Sequence, residues 1–177
     1  MPHDTAATLW VRDSAPDDPR DLRRALGTFA TGVTVVTTVG EGGQPVGLTV
    51  NSFSSVSLEP PLVLWSLVVK SPQLEVFRNA PHFAVNILAE EQEALCRQFA
   101  SPVPDRFADV AWRAGVGGVP VIDGAVAQFE CVTETSHPGG DHEIFIGRVV
   151  RYRWSERGPL LFCNGALRTL PAAAAAA

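Results

Sequence analysis

Short alternating runs of hydrophobic and polar residues dominate this chain, and glycine or proline turns separate them. β-Branched residues crowd positions 33–39, and the glycine-rich segment 40–43 then closes the run, which predicts a hairpin into a strand that starts at Val46. The continuous apolar run at 62–69 predicts a strand buried on both faces. Further strands are predicted over residues 82–88, 119–135 and 142–154.

Helical spacing occurs in three short segments. Asp18 and Pro19 form a typical helix start, and the apolar residues that follow at i, i+3, i+4 and i+7 are Leu22, Ala25, Leu26 and Phe29. This helix is predicted to end near Gly32. Two further short helices are predicted after Ser71 and over residues 90–99. Many short strands with few helices favour a small, mainly β antiparallel barrel over a parallel sheet.

Length and composition limit the class of protein. The 177 residues, 46% of them hydrophobic, are enough for one domain, predicted over 18–170, with a flexible arm over 1–17 and a disordered tail over 171–177. A net charge of −5 argues against binding to nucleic acid, because phosphate neutralisation needs clustered basic side chains. The apolar runs are too short to span a membrane.

The number and spacing of the cysteines indicate the cellular compartment of the protein. Cys96, Cys131 and Cys163 are far apart and odd in number, so neither a disulfide framework nor a zinc knuckle is predicted. A reducing cytoplasm fits this pattern, and the first residues lack the features of a secretory signal. A zinc site built on Asp141 and the nearby histidines is a weak alternative, and no metal is predicted.

The segment 47–57 places short hydroxyl and amide side chains on a hydrophobic strand pattern. Its polar candidates are Thr49, Asn51, Ser52, Ser54, Ser55 and Ser57, and its apolar walls are Val50, Phe53 and Val56. Phe53 falls on the polar side of the alternation, which predicts a β-bulge near 51–53. The segment suits a polar, planar ligand, although a strand edge facing solvent explains the same composition.

Two other clusters carry titratable groups. Lys70 is the only lysine, and it precedes Ser71 at a predicted helix start, where backbone N–H groups favour an anion; an ordinary N-cap beside a solvated lysine is the alternative. A glycine turn delivers Asp141 and His142 to the start of a strand. Adjacent strand residues face opposite sides, so the two side chains pair only if Asp141 adopts a turn conformation.

The remaining catalytic templates are absent, including the nucleophile elbow, the phosphate-binding loop and the zinc-protease helix. Arg106 and Phe107 follow a proline loop and combine a guanidinium with a ring, which suits a lid over a flat anion. A helix start with Arg106 in solvent fits that segment equally well.

Five motifs in order give the segment from about Leu22 to Leu170 a resemblance to the short-chain flavin reductases that serve two-component flavin-dependent monooxygenases. The motifs are FATGVTVVT at 29–37, GLTVNSFSSVSLEPPLV at 47–63, FAVNIL at 83–88, DRF at 105–107 and GDHEIFIGRV at 140–149. Asn51 departs from the pattern, since a small residue such as alanine or threonine is expected there.

The resemblance implies a homodimeric split β-barrel that binds FMN or FAD, oxidises NADH or NADPH, and supplies reduced flavin to a partner monooxygenase. The implied flavin contacts are Thr49, Val50, Asn51, Ser52, Ser55, Lys70, Ser71, Arg106 and Phe107. His142 and Asp141 are the implied catalytic pair, with His142, Thr31 and Gly32 beside the nicotinamide. Two alternatives are a barrel oxidase that retains its FMN and a non-enzymatic flavin-binding electron carrier.

Overall fold

The computed structural model describes residues 15–171. The predicted N-terminal arm and C-terminal tail therefore lie mostly outside the described residues. Among the helices of residues 15–171, none is long and apolar enough to cross a membrane.

Three short helices are present. Helix α1 spans Pro19–Leu26, α2 spans Leu74–Asn79, and α3 spans Glu93–Ala100 after a 3-10 turn at Glu90–Gln92. The predicted start of α1 is confirmed, because the Asp18 carboxylate accepts the Arg20 N–H at 2.8 Å. Its predicted end near Gly32 is wrong.

Helix α1 stops early because the chain after it enters a small sheet. Gly27 caps the helix, and its carbonyl accepts the N–H of Asn164 from a distant hairpin. Thr31 and Gly32 then pair with Phe162 and Leu161 as strand β1. A tertiary pairing thus ends the helix before its apolar pattern ends.

Twelve strands make up three sheets within residues 15–171. They are β1 Thr31–Gly32, β2 Thr34–Val39, β3 Pro45–Val50, β4 Ser54–Leu58, β5 Pro61–Val68, β6 His82–Ile87, β7 Trp112–Ala114, β8 Pro120–Ile122, β9 Ala127–Gly139, β10 His142–Trp154, β11 Leu161–Cys163 and β12 Ala166–Arg168. The largest sheet has seven antiparallel strands in the order β3-β2-β6-β9-β10-β5-β4. The small sheets are β1-β11-β12 and β7-β8.

The large sheet is curled, since its two edge strands, β3 and β4, are consecutive in the chain. Residues 51–53 alone connect them, so the Cα atoms of Val50 and Ser54 lie at most about 15 Å apart. In a flat sheet of seven strands the two edges would be separated by roughly 29 Å. The sheet therefore forms a barrel whose edges approach each other without pairing, and the predicted mainly β split barrel is confirmed.

Ser52 holds this seam together. Its hydroxyl accepts the N–H of Ser66 at 2.9 Å and donates to the carbonyl of Ser66 at 3.0 Å. Ser54 pairs with Leu64, so Ser52 stands at the position that would continue the ladder opposite Ser66. The side chain thus replaces a backbone pair at the point where the main chain leaves β5.

Three sequence predictions need correction. The strand predicted from Val46, with a bulge at 51–53, is two strands on opposite edges of the sheet, and the register shift lies between Ser55 and Ser57. Strand β5 is buried on one face only, because its other face lies outside the barrel. The strand predicted over 119–135 is broken at 123–126, where the chain turns from β8 to β9.

Aromatic residues fill the barrel interior. The Trp65 ring stacks on Phe145 at 4.7 Å between centroids and meets Phe77 edge-on at 4.8 Å. All three are almost completely buried. A second cluster, which includes Phe99 and Leu160, lies between α3, β2 and the β11–β12 hairpin. These two cores hold the seam and α3 in fixed positions.

We expect Ser52→Ala to lower the free energy of unfolding by about 1–2 kcal/mol, because two hydrogen bonds to Ser66 are lost. Urea unfolding followed by fluorescence measures this change. Ser54→Ala is the matched control, since the only hydrogen bond of that exposed hydroxyl within residues 15–171 is to the neighbouring carbonyl of Ser55. Equal stability of the two variants would contradict the role of Ser52.

Candidate functional site

The turn between β9 and β10 positions a histidine and a carboxylate as a pair. Gly140 has a positive φ of 69°, which suits glycine, and Asp141 is the second turn residue. His142 Nδ1 lies 2.7 Å from Asp141 Oδ1. Asp141 thus adopts the turn conformation that pairing required.

The pair fixes the chemistry of the imidazole. An Nδ1–H that donates to Asp141 leaves Nε2 as the free ring nitrogen, and Nε2 has no partner among the described residues. This hydrogen bond, followed by the charge interactions with His142 and Lys70, lowers the pKa of the Asp141 carboxyl. The His142 side chain is 44% exposed, so a ligand can reach it.

Lys70 and Ser71 lie next to this pair. The N–H of Val69 donates to the Asp141 carbonyl at 2.9 Å, and His142 pairs with Val68 in β5. Ser71 follows at the end of β5, and its hydroxyl accepts the N–H of Gln73 at 3.3 Å. The two clusters predicted from separate parts of the sequence therefore share one end of the barrel.

Behind the imidazole, Glu143 anchors β10. Its carboxylate accepts from Arg78 at 2.7 Å and from the Ser136 hydroxyl at 2.6 Å. These two hydrogen bonds, with Arg78 the larger effect, lower the pKa of the Glu143 carboxyl. The residue is buried, so the network fixes the start of the strand that carries His142.

The free edge of β3 offers unpaired backbone. The Gly47 carbonyl accepts from Arg106 Nη1 at 3.1 Å and from Gln73 Nε2 at 3.4 Å, so it points away from β2. Strand alternation turns the N–H and carbonyl of Thr49 the same way. Past the strand end, the N–H groups of residues 51–53 have no hydrogen-bond partner within residues 15–171.

Gly47 is also restrained by packing. A Cβ on Gly47 would lie 2.8 Å from the Phe99 ring, so only glycine lets β3 approach α3 this closely. Phe107 packs edge-on against Phe99 at 4.9 Å, and Arg106 Nε donates to the Ser101 carbonyl at 3.0 Å. Arg106 and Phe107 therefore support β3, and their contact with a flavin stays a prediction.

The predicted binding segment divides between two surfaces. Thr49 donates its hydroxyl to the Cys96 carbonyl at 2.7 Å, and the Val50 carbonyl accepts from Thr34 at 3.0 Å. Asn51 is exposed at the seam, whereas Ser55 is exposed on β4. Of these residues, Asn51 and Ser55 have polar side chains that make no hydrogen bond within residues 15–171.

A cleft opens beside the end of β3. Its volume is about 690 Å³, and its walls come from β3, α3 and the β11–β12 hairpin. Thr31 and Gly32 lie next to it, because Thr31 pairs with the lining residue Phe162. The Thr31 hydroxyl oxygen is buried and has no partner within the described part of the chain.

The seam connects these surfaces. Ser52 and His142 lie on opposite sides of β5, two residues apart in register, so their Cα atoms are on the order of 12 Å apart. Gln73 lies at the free edge of β3, Glu93 and Arg97 line the cleft, and none of the three was predicted as a site residue. The only sequence feature of Glu93 and Arg97 is their i, i+4 spacing, which is ordinary in helices. Nothing in the sequence marks Gln73 as a site residue.

Comparison with known proteins identifies the family. Residues 26–171 match the family described as the flavin reductase like domain. The chain belongs to this family. Its predicted membership is confirmed, and the flavin reductase-like domain accounts for all the strands described above.

Three relatives illustrate the similarity. The FMN reductase (NADH) SmoA of Agrobacterium fabrum is 45% identical over 150 residues, which cover 85% of each chain. The reductase component of the flavin-dependent trigonelline monooxygenase of Acinetobacter baylyi is 46% identical over 150 residues, or 85% of this chain and 48% of its own length. This chain thus spans about half the length of some curated relatives.

A solved structure gives the third comparison. The NADH:FAD oxidoreductase SgcE6 of Streptomyces globisporus, in complex with NAD and FAD fragments, has a TM-score of 0.86 and 43% identity. The match covers 92% of this chain and 99% of SgcE6. The split-barrel architecture is therefore shared along almost the whole of both chains.

The described residues fit a flavin. A flavin needs donors and acceptors for its pyrimidine edge, apolar cover for its rings and donors for its phosphate. The edge of β3 and the N–H groups of residues 51–53 match the first need. The buried side-chain oxygen of Gln73, which lacks a partner within residues 15–171, adds an acceptor beside Ser71.

Proposed function

We propose that this chain is an NADH-dependent flavin reductase that reduces FMN or FAD and releases the reduced flavin to a partner monooxygenase. The observation that carries the proposal is the approach of an unpaired backbone edge to the Asp141–His142 pair across β5. The names of SmoA and SgcE6, both NADH-dependent, favour NADH over NADPH.

The backbone of Thr49 to Ser52 would hold the pyrimidine edge of the flavin, and Lys70 with Ser71 would hold its phosphate. When bound, the flavin supplies the ring that accepts a hydride from reduced nicotinamide, while solvent supplies the accompanying proton. The protein's task is to align two rings at about 3–3.5 Å, so no nucleophile is needed. Ser52 keeps the seam rigid, which preserves that alignment.

His142 would orient the nicotinamide. Asp141 holds the ring through Nδ1, and the free Nε2 is available to the carboxamide of the substrate. Thr31 and Gly32 would border the same space. The pair acts by positioning, because hydride transfer requires no proton at the nicotinamide.

The partner relationship rests on exchange of flavin. The trigonelline relative is the reductase component of a flavin-dependent monooxygenase. A reductase that supplies reduced flavin to another protein must release it. We therefore expect a dissociation constant for flavin in the micromolar range, a binding free energy of about −8 kcal/mol. The cysteines agree with the predicted reducing cytoplasm, since all three are free thiols. Burial raises the pKa of the Cys131 thiol to about 12, so this thiol stays protonated.

We also propose a homodimer. Tyr152 and Trp154 near the end of β10 are 66% and 69% exposed, and Leu58 at the end of β4 is 93% exposed. Tyr152 stacks on Phe129 with centroids 6.4 Å apart, so the exposed aromatic surface continues from β10 to the neighbouring strand β9. Apolar surface of this kind is typical of an interface.

The purified protein should oxidise NADH only when free FMN or FAD is added, or at least tenfold faster then, since the flavin behaves as a substrate. Absorbance at the NADH band measures the rate. If the protein retains flavin and its rate of NADH oxidation does not change when flavin is added, the result would indicate the oxidase alternative. Protein that binds flavin but never consumes NADH would indicate the electron carrier.

We expect His142→Ala to slow hydride transfer in a single turnover by about tenfold, because the nicotinamide loses an orienting contact. Stopped-flow absorbance of the flavin measures the step. His137→Ala is the control, since His137 is exposed on β9 of the same hairpin. An unchanged rate in His142→Ala would disprove the orienting role.

The double variant Tyr152→Glu and Trp154→Glu should sediment as a monomer while the unaltered protein sediments as a dimer, because buried charges oppose association. Val103→Glu, at a 41% exposed residue of the proline loop, is the control and should leave the dimer intact. A monomeric unaltered protein would refute the dimer.

A further inference from the structure

Hydrogen bonds from two side chains bound the free edge of β3 at its two ends. At one end, the Ser52 hydroxyl bonds the backbone of Ser66. At the other end, Gln73 Nε2 donates to the Gly47 carbonyl at 3.4 Å. No strand of residues 15–171 lies between them, because β5 pairs with β4 only as far as Leu64 and β3 is the other edge of the sheet. The segments 47–52 and 66–73 therefore border a slot that is at most about 18 Å long.

The amide of Gln73 has a defined orientation at the end of this slot. Its nitrogen faces the Gly47 carbonyl, and exchange of nitrogen and oxygen would bring two acceptors together. The backbone N–H of Gln73 donates to Ser71 Oγ at 3.3 Å, which holds the residue at the start of α2. The amide oxygen, Oε1, is buried and has no partner within residues 15–171. The atom left for a ligand is therefore an acceptor.

A buried acceptor without a partner is unfavourable, because folding removes its hydrogen bonds to water. Two other buried side-chain atoms within residues 15–171 share this condition, the hydroxyl of Thr31 and the indole nitrogen of Trp65. Trp65 belongs to the aromatic core, and Thr31 lies beside the cleft. Of the three, Gln73 alone contacts the free edge of β3. A hydroxyl or N–H group of a bound molecule would remove the cost at Gln73.

Gln73 stands between the two parts of the proposed flavin surface. Its backbone bonds Ser71, whereas its side chain contacts Gly47 of the strand that continues to Thr49. In the proposed function, the end of β5 holds the phosphate and the backbone from Thr49 onward holds the ring edge. The ribityl chain joins these two parts of a flavin, and its hydroxyl groups are donors. A phosphate oxygen does not suit this position, because it would meet the amide oxygen as a second acceptor.

We propose that Gln73 binds the ribityl chain, with Oε1 as the acceptor for a ribityl hydroxyl, and that it makes the site selective for flavins that carry this chain. The inference rests on the proposed function and adds a specificity-determining residue to it. FMN, FAD and riboflavin carry the ribityl chain. Lumiflavin has the same ring with a methyl group in its place.

The test compares riboflavin with lumiflavin on Gln73→Met, a side chain of similar length without an amide. Flavin fluorescence measures both dissociation constants, and neither ligand carries a phosphate. The dissociation constant of riboflavin should rise about fivefold, because one hydrogen bond is lost, and that of lumiflavin should change by less than about twofold.

A second variant separates the acceptor from the bond to Gly47. The carboxylate of Gln73→Glu keeps an oxygen for the ribityl hydroxyl, but it cannot donate to the Gly47 carbonyl. This variant should retain the preference for riboflavin over lumiflavin that Gln73→Met loses. Gln44→Met, at an exposed position of the turn between β2 and β3, is the matched control and should leave both constants unaffected. Circular dichroism verifies that each variant is folded.

The proposal is overturned if Gln73→Met changes riboflavin and lumiflavin by the same factor or changes neither. It is also overturned if the glutamate and methionine variants lose the preference alike, because Gln73 would then act only through its bond to β3. Failure of the proposed function has a different result. A protein that prefers riboflavin through Gln73 but oxidises no NADH with any flavin would contradict the reductase and still support the role of Gln73.

Discussion

The three-residue connection between β3 and β4 is the constraint on which the rest of the structure depends. Because residues 51–53 must join the two edges of one sheet, the sheet curls until those edges nearly meet. Ser52 then bonds Ser66 with its side chain where the backbone ladder stops. The barrel thus stays split at one place, and that place is held rigidly although it is not closed by backbone pairing.

A split of this kind leaves backbone donors and acceptors without partners, which usually costs stability. The structure limits the cost at Gly47 by directing Gln73 and Arg106 to its carbonyl. Among residues 15–171, the outward backbone groups of Thr49 and the N–H groups of residues 51–53 keep no partner. A planar heterocycle with hydrogen-bonding edges can satisfy these groups and leave again, which agrees with the proposed exchange of flavin as a substrate.

The Asp141–His142 pair and the Ser52 seam are separated along the chain but joined by β5. One side of β5 meets Ser52, and the other meets β10, whose first residue is His142. Glu143 fixes β10 through Arg78 and Ser136, so the exposed imidazole stands on a buried ionic support. In the proposed function, the alignment of the two rings would therefore depend on strand register, a property of the whole sheet.

The sequence alone determined the β-rich class, the start of α1 at Asp18, the glycine turn before His142 and the family, since these follow from local spacing and from motifs. Only the tertiary structure decided that 47–57 is two strands, that Arg106 supports Gly47, and that α3 brings Arg97 to the cleft. The physical reason is that curling of the sheet is set by contacts between distant residues. Local periodicity indicates which face of a strand is apolar, but it does not indicate which strand lies on the other side of the seam.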